Sequence, residues 1–124
     1  MAAMALLYTD PDMDCLFCKI VDGTIPAKPV YQDEKCLAFL DINPQAPTHF
    51  LVIPREHIAS LAHAVSDHST LLGHLLFAAA EIARSKGLAN GYRVVINSGP
   101  DGGQTVDHLH LHVLGDRHLT WPPG

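Results

Sequence analysis

The sequence is short of positive charge. Eight Lys and Arg residues stand against thirteen Asp and Glu, a formal net charge of −5 with His neutral. A protein that tracks a polyanionic backbone needs a basic patch, so this balance argues against a nucleic-acid partner. It does not exclude a mononucleotide, whose few phosphates can be held by backbone N–H groups and imidazoles. Cysteine is scarce as well, with only Cys15, Cys18 and Cys36. An odd count without a secretory signature does not suggest a disulfide framework. Long apolar runs are missing. Met1 to Leu7 is apolar but short, lacks Lys and Arg, and runs into Asp10-Pro11-Asp12, so it reads as neither signal peptide nor membrane span. The expectation is a cytoplasmic protein with no membrane partner. There is no internal repeat and no linker. The 124 residues, 48% hydrophobic and 17% charged, suit one globular domain with its own core. That domain is expected over 14–124, after a flexible arm over 1–13.

Histidine is what the chain has in quantity, nine in all. Three of them fall in His108-Leu109-His110-Leu111-His112-Val113-Leu114, where polar and apolar residues alternate without a break. A period of two is the mark of a strand, with His108, His110 and His112 on one face and Leu109, Leu111 and Val113 on the other. Neighbours on one face of a strand stand roughly 6.5–7 Å apart. The row is internal and strictly alternating, unlike a purification tag, and a packed strand has no need of three imidazoles.

Around this strand the chain divides readily. Asp14 is expected to cap a short helix over Cys15–Val21, stopped by Gly23. Strands are expected at Val30–Gln32, Cys36–Asp41, Thr48–Ile53 and Gly91–Asn97. His49 shares a strand face with Leu51 and Ile53, ordinarily the place of a core or edge histidine. The main helix starts near Ser66 or Asp67 and stops at Gly87, with Leu72, Leu75, Leu76, Ala79 and Ala83 as its apolar stripe. Ser98–Gln104 is a Gly-rich loop leading into the histidine strand. His63, His68, His74 and His118 read as solvated, and Cys36 as buried without a role. Strands in runs with few helices between them favour α+β with an antiparallel sheet, one long and one short helix covering a single face.

A neutral imidazole is a good nucleophile near neutral pH, and a neighbouring one can protonate a leaving group. The Gly-rich loop can offer N–H groups to an anion. On its own it is only a turn; joined to the imidazole row it suggests phosphoryl or nucleotidyl transfer. Metal binding is the rival reading, because Cys15-x-x-Cys18 is half of a zinc pattern whose other half would be histidines.

The alternating row resembles the motif of the histidine triad (HIT) superfamily. Phe17-Cys18-Lys19-Ile20, Ile25-Pro26-Ala27-Lys28, Leu37–Ile42, Pro47–Pro54 and Trp121-Pro122-Pro123-Gly124 resemble its nucleotide-binding (Hint) branch, from about Cys15 to Gly124. The resemblance implies an α+β protomer with a five-stranded antiparallel sheet, and a homodimer joining two into a ten-stranded sheet. It implies hydrolysis of purine nucleoside phosphoramidates to a nucleoside monophosphate and an amine. His110 would be the nucleophile and form a nucleotidyl-histidine. A backbone carbonyl near His108 is a candidate to fix its tautomer. His112, His49 and His108 complete the implied catalytic set. Asp41 would bind the ribose and Ile42 the base; Asn97, Gly103, Gln104 and Thr105 would hold phosphate and sugar. Thr105 stands where relatives have Ser and keeps the hydroxyl. Trp121 would reach into the partner's site. Catalysis would need no cofactor. Some relatives with a Cys-x-x-Cys hold a structural zinc, here through Cys15, Cys18, His57 and His108; others lack the pair and fold without metal. Two further readings stand beside the phosphoramidase. One is a dinucleoside polyphosphate hydrolase; the other is a nucleotide-binding or scaffolding protein with incidental turnover.

Overall fold

A computed structural model describes residues 14–124, so the expected arm over 1–13 lies outside the described residues. Five strands form one antiparallel sheet in the order β1-β2-β3-β5-β4. They are β1 (Pro29–Gln32), β2 (Cys36–Leu40), β3 (Thr48–Pro54), β4 (Tyr92–Val95) and β5 (Leu111–Gly115). The helices are α1 (Leu16–Val21) and α2 (Ser69–Ser85), the latter preceded by a 3₁₀ turn at Ser66–His68. No described helix is long and apolar enough to cross a membrane.

The alternation of the strands decides the packing. Ala38, Phe50, Val52, Leu111 and Val113 point one way and pack with Leu75, Ala78, Ala79 and Ile82 of α2. Leu37, Phe39, Leu51 and Ile53 point the other way and pack with Phe17, Cys15 and Cys18 at α1. The helices therefore cover opposite faces, not the single face expected. The strands are apolar on both sides, and one face left bare would expose Leu37, Phe39, Leu51 and Ile53 together. The stripe on α2 is also rotated from the expected one. Ala78 and Ile82 are inside, whereas Leu76 is half exposed.

Two local features differ from the sequence reading and both bear on the site. Cys15, not Asp14, caps α1: its backbone is extended and its Sγ accepts the Cys18 N–H at 3.2 Å. The histidine strand is regular only from Leu111 onward. The β3–β5 ladder ends at Val52↔Leu111. Two steps on, Pro54 would face Leu109, and proline has no N–H to give. Leu109 instead donates its N–H to the Ile58 carbonyl at 2.6 Å, off the sheet. The alternation of side chains persists through this irregular stretch, with Leu109 in the core beneath α2.

Candidate active site

His110 and His112 reach the α1 face from the start of β5, and His49 joins them from β3, where its neighbour Leu51 pairs with His112. The bland reading of His49 as a core histidine fails on its contacts. The ring centroids of His110 and His112 are 5.0 Å apart and those of His49 and His112 5.2 Å. The first pair is closer than the strand repeat, and the second spans β3 and β5.

The hydrogen bonds assign the protons. Carbonyls only accept, so the 2.7 Å contact of His110 Nδ1 with the His108 carbonyl puts a proton on Nδ1. The neutral ring then carries its lone pair on Nε2. Gln45 donates its backbone N–H to His49 Nδ1 at 3.0 Å, so neutral His49 holds its proton on Nε2. That nitrogen lies 2.9 Å from His112 Nδ1 and 3.4 Å from an Asp41 carboxylate oxygen. With His112 Nδ1 accepting, the His112 proton sits on Nε2. Burial pushes His112 down to about 4, helped by the neighbouring His110 and His49 and opposed by Asp41. Burial also lowers His49, again against Asp41. Both are neutral at pH 7.

The three rings and Asp41 open on a cleft of about 920 Å³. Its other wall is apolar, formed by Leu16, Phe17, Ile20, Phe39 and Leu51. Sequence reasoning assigned this wall no role; the spacing of Leu16, Phe17 and Ile20 on α1 is the signal that could have found it. Ile42 is fully exposed at the rim and Thr105 lines the cleft. A second cavity, about 610 Å³ between 87–93 and 116–119, holds no paired imidazoles.

The Gly-rich loop offers less than expected. The Gly103 N–H bonds Pro100, the Gln104 N–H bonds Gly99, and the Gly99 N–H bonds the Gln104 side chain. The Gln104 amide also donates to the Ala59 and Val106 carbonyls, so it struts the loop from inside. At Gly102 a Cβ would lie 2.7 Å from the Ser98 carbonyl oxygen, which keeps that position glycine. Asn97 is half-buried beyond β4 and does not line the cleft. Trp121 also stands away from it, 81% exposed, on a tail tied by Arg93 to the Leu119 and Thr120 carbonyls.

Behind His110 lies a second constellation. Cys15 Sγ, Cys18 Sγ, His57 Nδ1 and His108 Nδ1 all lie within 4.8 Å of one another. His108 Nε2 donates to the Pro54 carbonyl at 2.8 Å, which turns the Nδ1 lone pair inward. Three donor atoms stand 3.2–3.4 Å from that one nitrogen. One lone pair cannot serve three neighbours, but a tetrahedral ion can. With zinc–sulfur and zinc–nitrogen lengths, the edges of such a tetrahedron are about 3.3–3.6 Å between unlike or nitrogen ligands. The four groups fit a structural zinc, and the carbonyl on His108 Nε2 is the outer partner such ligands have.

A five-stranded antiparallel sheet in an α+β fold, with three neighbouring imidazoles opening on one cleft, narrows the class of protein. Residues 22–119 match the HIT domain family, and the chain belongs to it. An uncharacterized HIT-like protein of Synechococcus elongatus is 58% identical over 111 residues, 90% of this chain and 97% of that one. A 14 kDa zinc-binding protein of Zea mays is 52% identical over 115 residues, 91% and 90% of the two chains. A HIT family hydrolase from Legionella pneumophila superposes with a TM-score of 0.88 at 53% identity, covering 90% of this chain and all of that one.

Proposed function

We propose that this chain is a hydrolase of the nucleotide-binding (Hint) branch of the family, splitting the P–N bond of purine nucleoside phosphoramidates. The observation that carries the reading is the run of tautomers. His110 has an Nε2 lone pair, and His112 has a proton on Nε2, because the Gln45 N–H fixes the His49 tautomer and the His49 Nε2–H in turn fixes that of His112.

His110 Nε2 attacks phosphorus and forms the N–P bond. The bound phosphate draws a second proton from solvent onto His112, so when the P–N bond breaks the amine leaves with the Nε2 proton and His112 is left neutral. Water then gives a proton to neutral His112 and attacks phosphorus. The His110–P bond breaks, nucleoside monophosphate departs, and both rings return to their starting forms. The apolar wall suits a flat base, with Ile42 beside it. Asp41 takes the ribose hydroxyls; Thr105, with Asn97, Gly103 and Gln104 shaping the loop, holds sugar and phosphate. A zinc held by Cys15, Cys18, His57 and His108 serves the fold. The Zea mays protein's name and the Legionella protein's description as a hydrolase support these readings.

The chain works as a homodimer in this reading. β4 is a sheet edge with Tyr92 exposed on it, and Leu76 and Phe77 are exposed on α2. Pairing two β4 edges gives a ten-stranded sheet and carries Trp121 toward the partner's leaving group.

The test is rapid quench with a labelled adenosine phosphoramidate, together with kcat/KM against diadenosine polyphosphates. Label on His110 and a large preference for the phosphoramidate are expected. A preference for the polyphosphates would move the chain to a different HIT branch, and negligible turnover of both would make it a binding protein.

A further inference from the structure

The nucleophile sits where the sheet does not reach. β5 begins at Leu111, so His110 and Leu109 lie outside the sheet ladder. A residue that must present one nitrogen to phosphorus needs some other anchor.

Three contacts supply it. The His108 carbonyl accepts from His110 Nδ1 at 2.7 Å and sets the tautomer. The Ile58 carbonyl accepts from the Leu109 N–H at 2.6 Å and holds the chain between the two histidines. Phe17 meets the His110 ring edge to face, centroids 5.1 Å apart at 90°. Each contact leads to the same place. His108 is itself one of the four converging groups, Ile58 follows His57, and Phe17 lies between Cys15 and Cys18. The four donors come from three segments distant in sequence: the cap of α1, the turn after β3, and the entry to β5. The Leu109–Ile58 and His108–Pro54 bonds already join the turn after β3 to the entry of β5, but thiols are weak hydrogen-bond donors, so without an ion the Cys15 and Cys18 sulfurs tie the cap of α1 to them less firmly. With one they are joined by four coordinate bonds.

We propose that the Cys15/Cys18/His57/His108 metal centre anchors the nucleophile: loading it fixes the main chain at His108–Leu109 and, through the His108 carbonyl, the ring of His110. His108 is then a positioning residue, and metal loading governs a reaction in which the metal never touches substrate. The inference rests on the phosphoramidase reading only for its kinetic consequence. A misplacement of about 1 Å at a reacting group costs on the order of a hundredfold in rate.

The experiment uses untagged protein with about one zinc per chain, as a structural site requires. It is compared as purified, after stripping with dipicolinate, and after zinc chloride is returned. Amide hydrogen exchange is read at Leu109 and, as control, at Val52 in the ladder. Ring-nitrogen NMR reads the His110 tautomer, and mixing with adenosine phosphoramidate reads the nucleotidyl burst. Stripping should speed exchange at Leu109 by on the order of tenfold more than at Val52. It should also split the single His110 tautomer into two and slow the burst by roughly ten- to a hundredfold, all restored by zinc. A folded, metal-free chain with unchanged Leu109 and His110 signals overturns the proposal.

If stripping melts the chain, His108→Cys decides. A thiolate keeps the ion but draws on the main chain through a shorter arm. Retained zinc with a disordered His110 ring and a slowed burst supports the anchor; retained zinc with both unchanged overturns it. A loaded protein with no burst, whose Leu109 and His110 signals still follow the metal, refutes the phosphoramidase reading and leaves the anchor standing.

Discussion

β2 and β3 give alternate residues to the two faces of the sheet, yet the faces do different work. The α2 face is almost wholly aliphatic and sealed by a helix of 17 residues, about 25 Å long. The α1 face meets a helix of six residues, about 9 Å long, too short to cover it. The uncovered part is the cleft, and His49, His110 and His112 stand in it. A short cover leaves room for chemistry that a long one would exclude.

The contrast holds even for similar residue sets. Asp33, Cys36 and His74 cluster at the edge of the α2 face much as Asp41, His49 and His112 do on the other. Asp33 accepts from Tyr31 Oη, from the Lys35 and Cys36 N–H groups, and from His74 Nε2 at 2.7 Å. Burial alone would raise its pKa; these bonds hold it well below the usual carboxylate range. Burial pushes the Cys36 thiol up to about 12, so it is no nucleophile. This cluster pins α2 to the β1–β2 turn. His74 is thus half-buried and partnered where its sequence context suggests a solvated group, and so is His68, which meets Glu56; His63, bonded to Ser60, stays exposed as expected.

The largest effect separating the faces is expected from His110→Asn. It removes the proposed nucleophile while keeping a polar side chain, so turnover should fall by several orders of magnitude, on the order of 5 kcal/mol in barrier. Nucleotide affinity, measured by calorimetry, should change far less. Near wild-type turnover would end the covalent role.

Phe50→Ala makes the converse cut on the α2 face, where Phe50 is fully buried. It should cost about 3–5 kcal/mol in denaturant unfolding, while the folded fraction keeps most of its turnover. Loss of turnover without loss of stability would dissolve the distinction between the faces.

The smallest effect is acid sensitivity. The folded pKa of His112 is about 4 and that of His49 is also depressed, so the unfolded chain binds more protons below the ordinary value of 6.5. Stability should therefore fall as pH drops from about 6.5 toward 4, and His112→Asn should flatten that slope. The contribution of Asp33 is present above 3.8 and is lost only below it, as pH falls toward its depressed folded value. Equilibrium unfolding across pH resolves the two. A curve flat to pH 4 would mean the cleft histidines are not held neutral.

Much of this division was legible in the sequence, because a period of two needs no tertiary knowledge. The histidine row, the core partners of β3 and the Cys-x-x-Cys beside His57 and His108 all follow from spacing or family pattern. What was not legible depends on chain path. Nothing in Leu16–Val21 says which face the helix will cover, and the stripe on α2 is ambiguous between Leu76 and Ile82 until the sheet selects one. The Gly-rich loop reads as a set of open N–H groups. Only the fold shows the Gly99 N–H taken by the Gln104 side chain and the Gly103 and Gln104 N–H groups by loop carbonyls, and only the turn at Gln45 gives His49 its tautomer.

The strand order has a consequence for synthesis on the ribosome. β5, made last, lies between β3 and β4, which are made earlier. During translation β1, β2 and β3 can pair as a meander while β4 waits without a neighbour. A chain released before Leu109 lacks His110 and His112 and also the strand that would take β4 into the sheet. Domains generally fold as units as they emerge, and here the final unit to emerge closes the sheet and completes the site together. A copy that ends before Leu109 therefore lacks the closed sheet and the histidine pair at once.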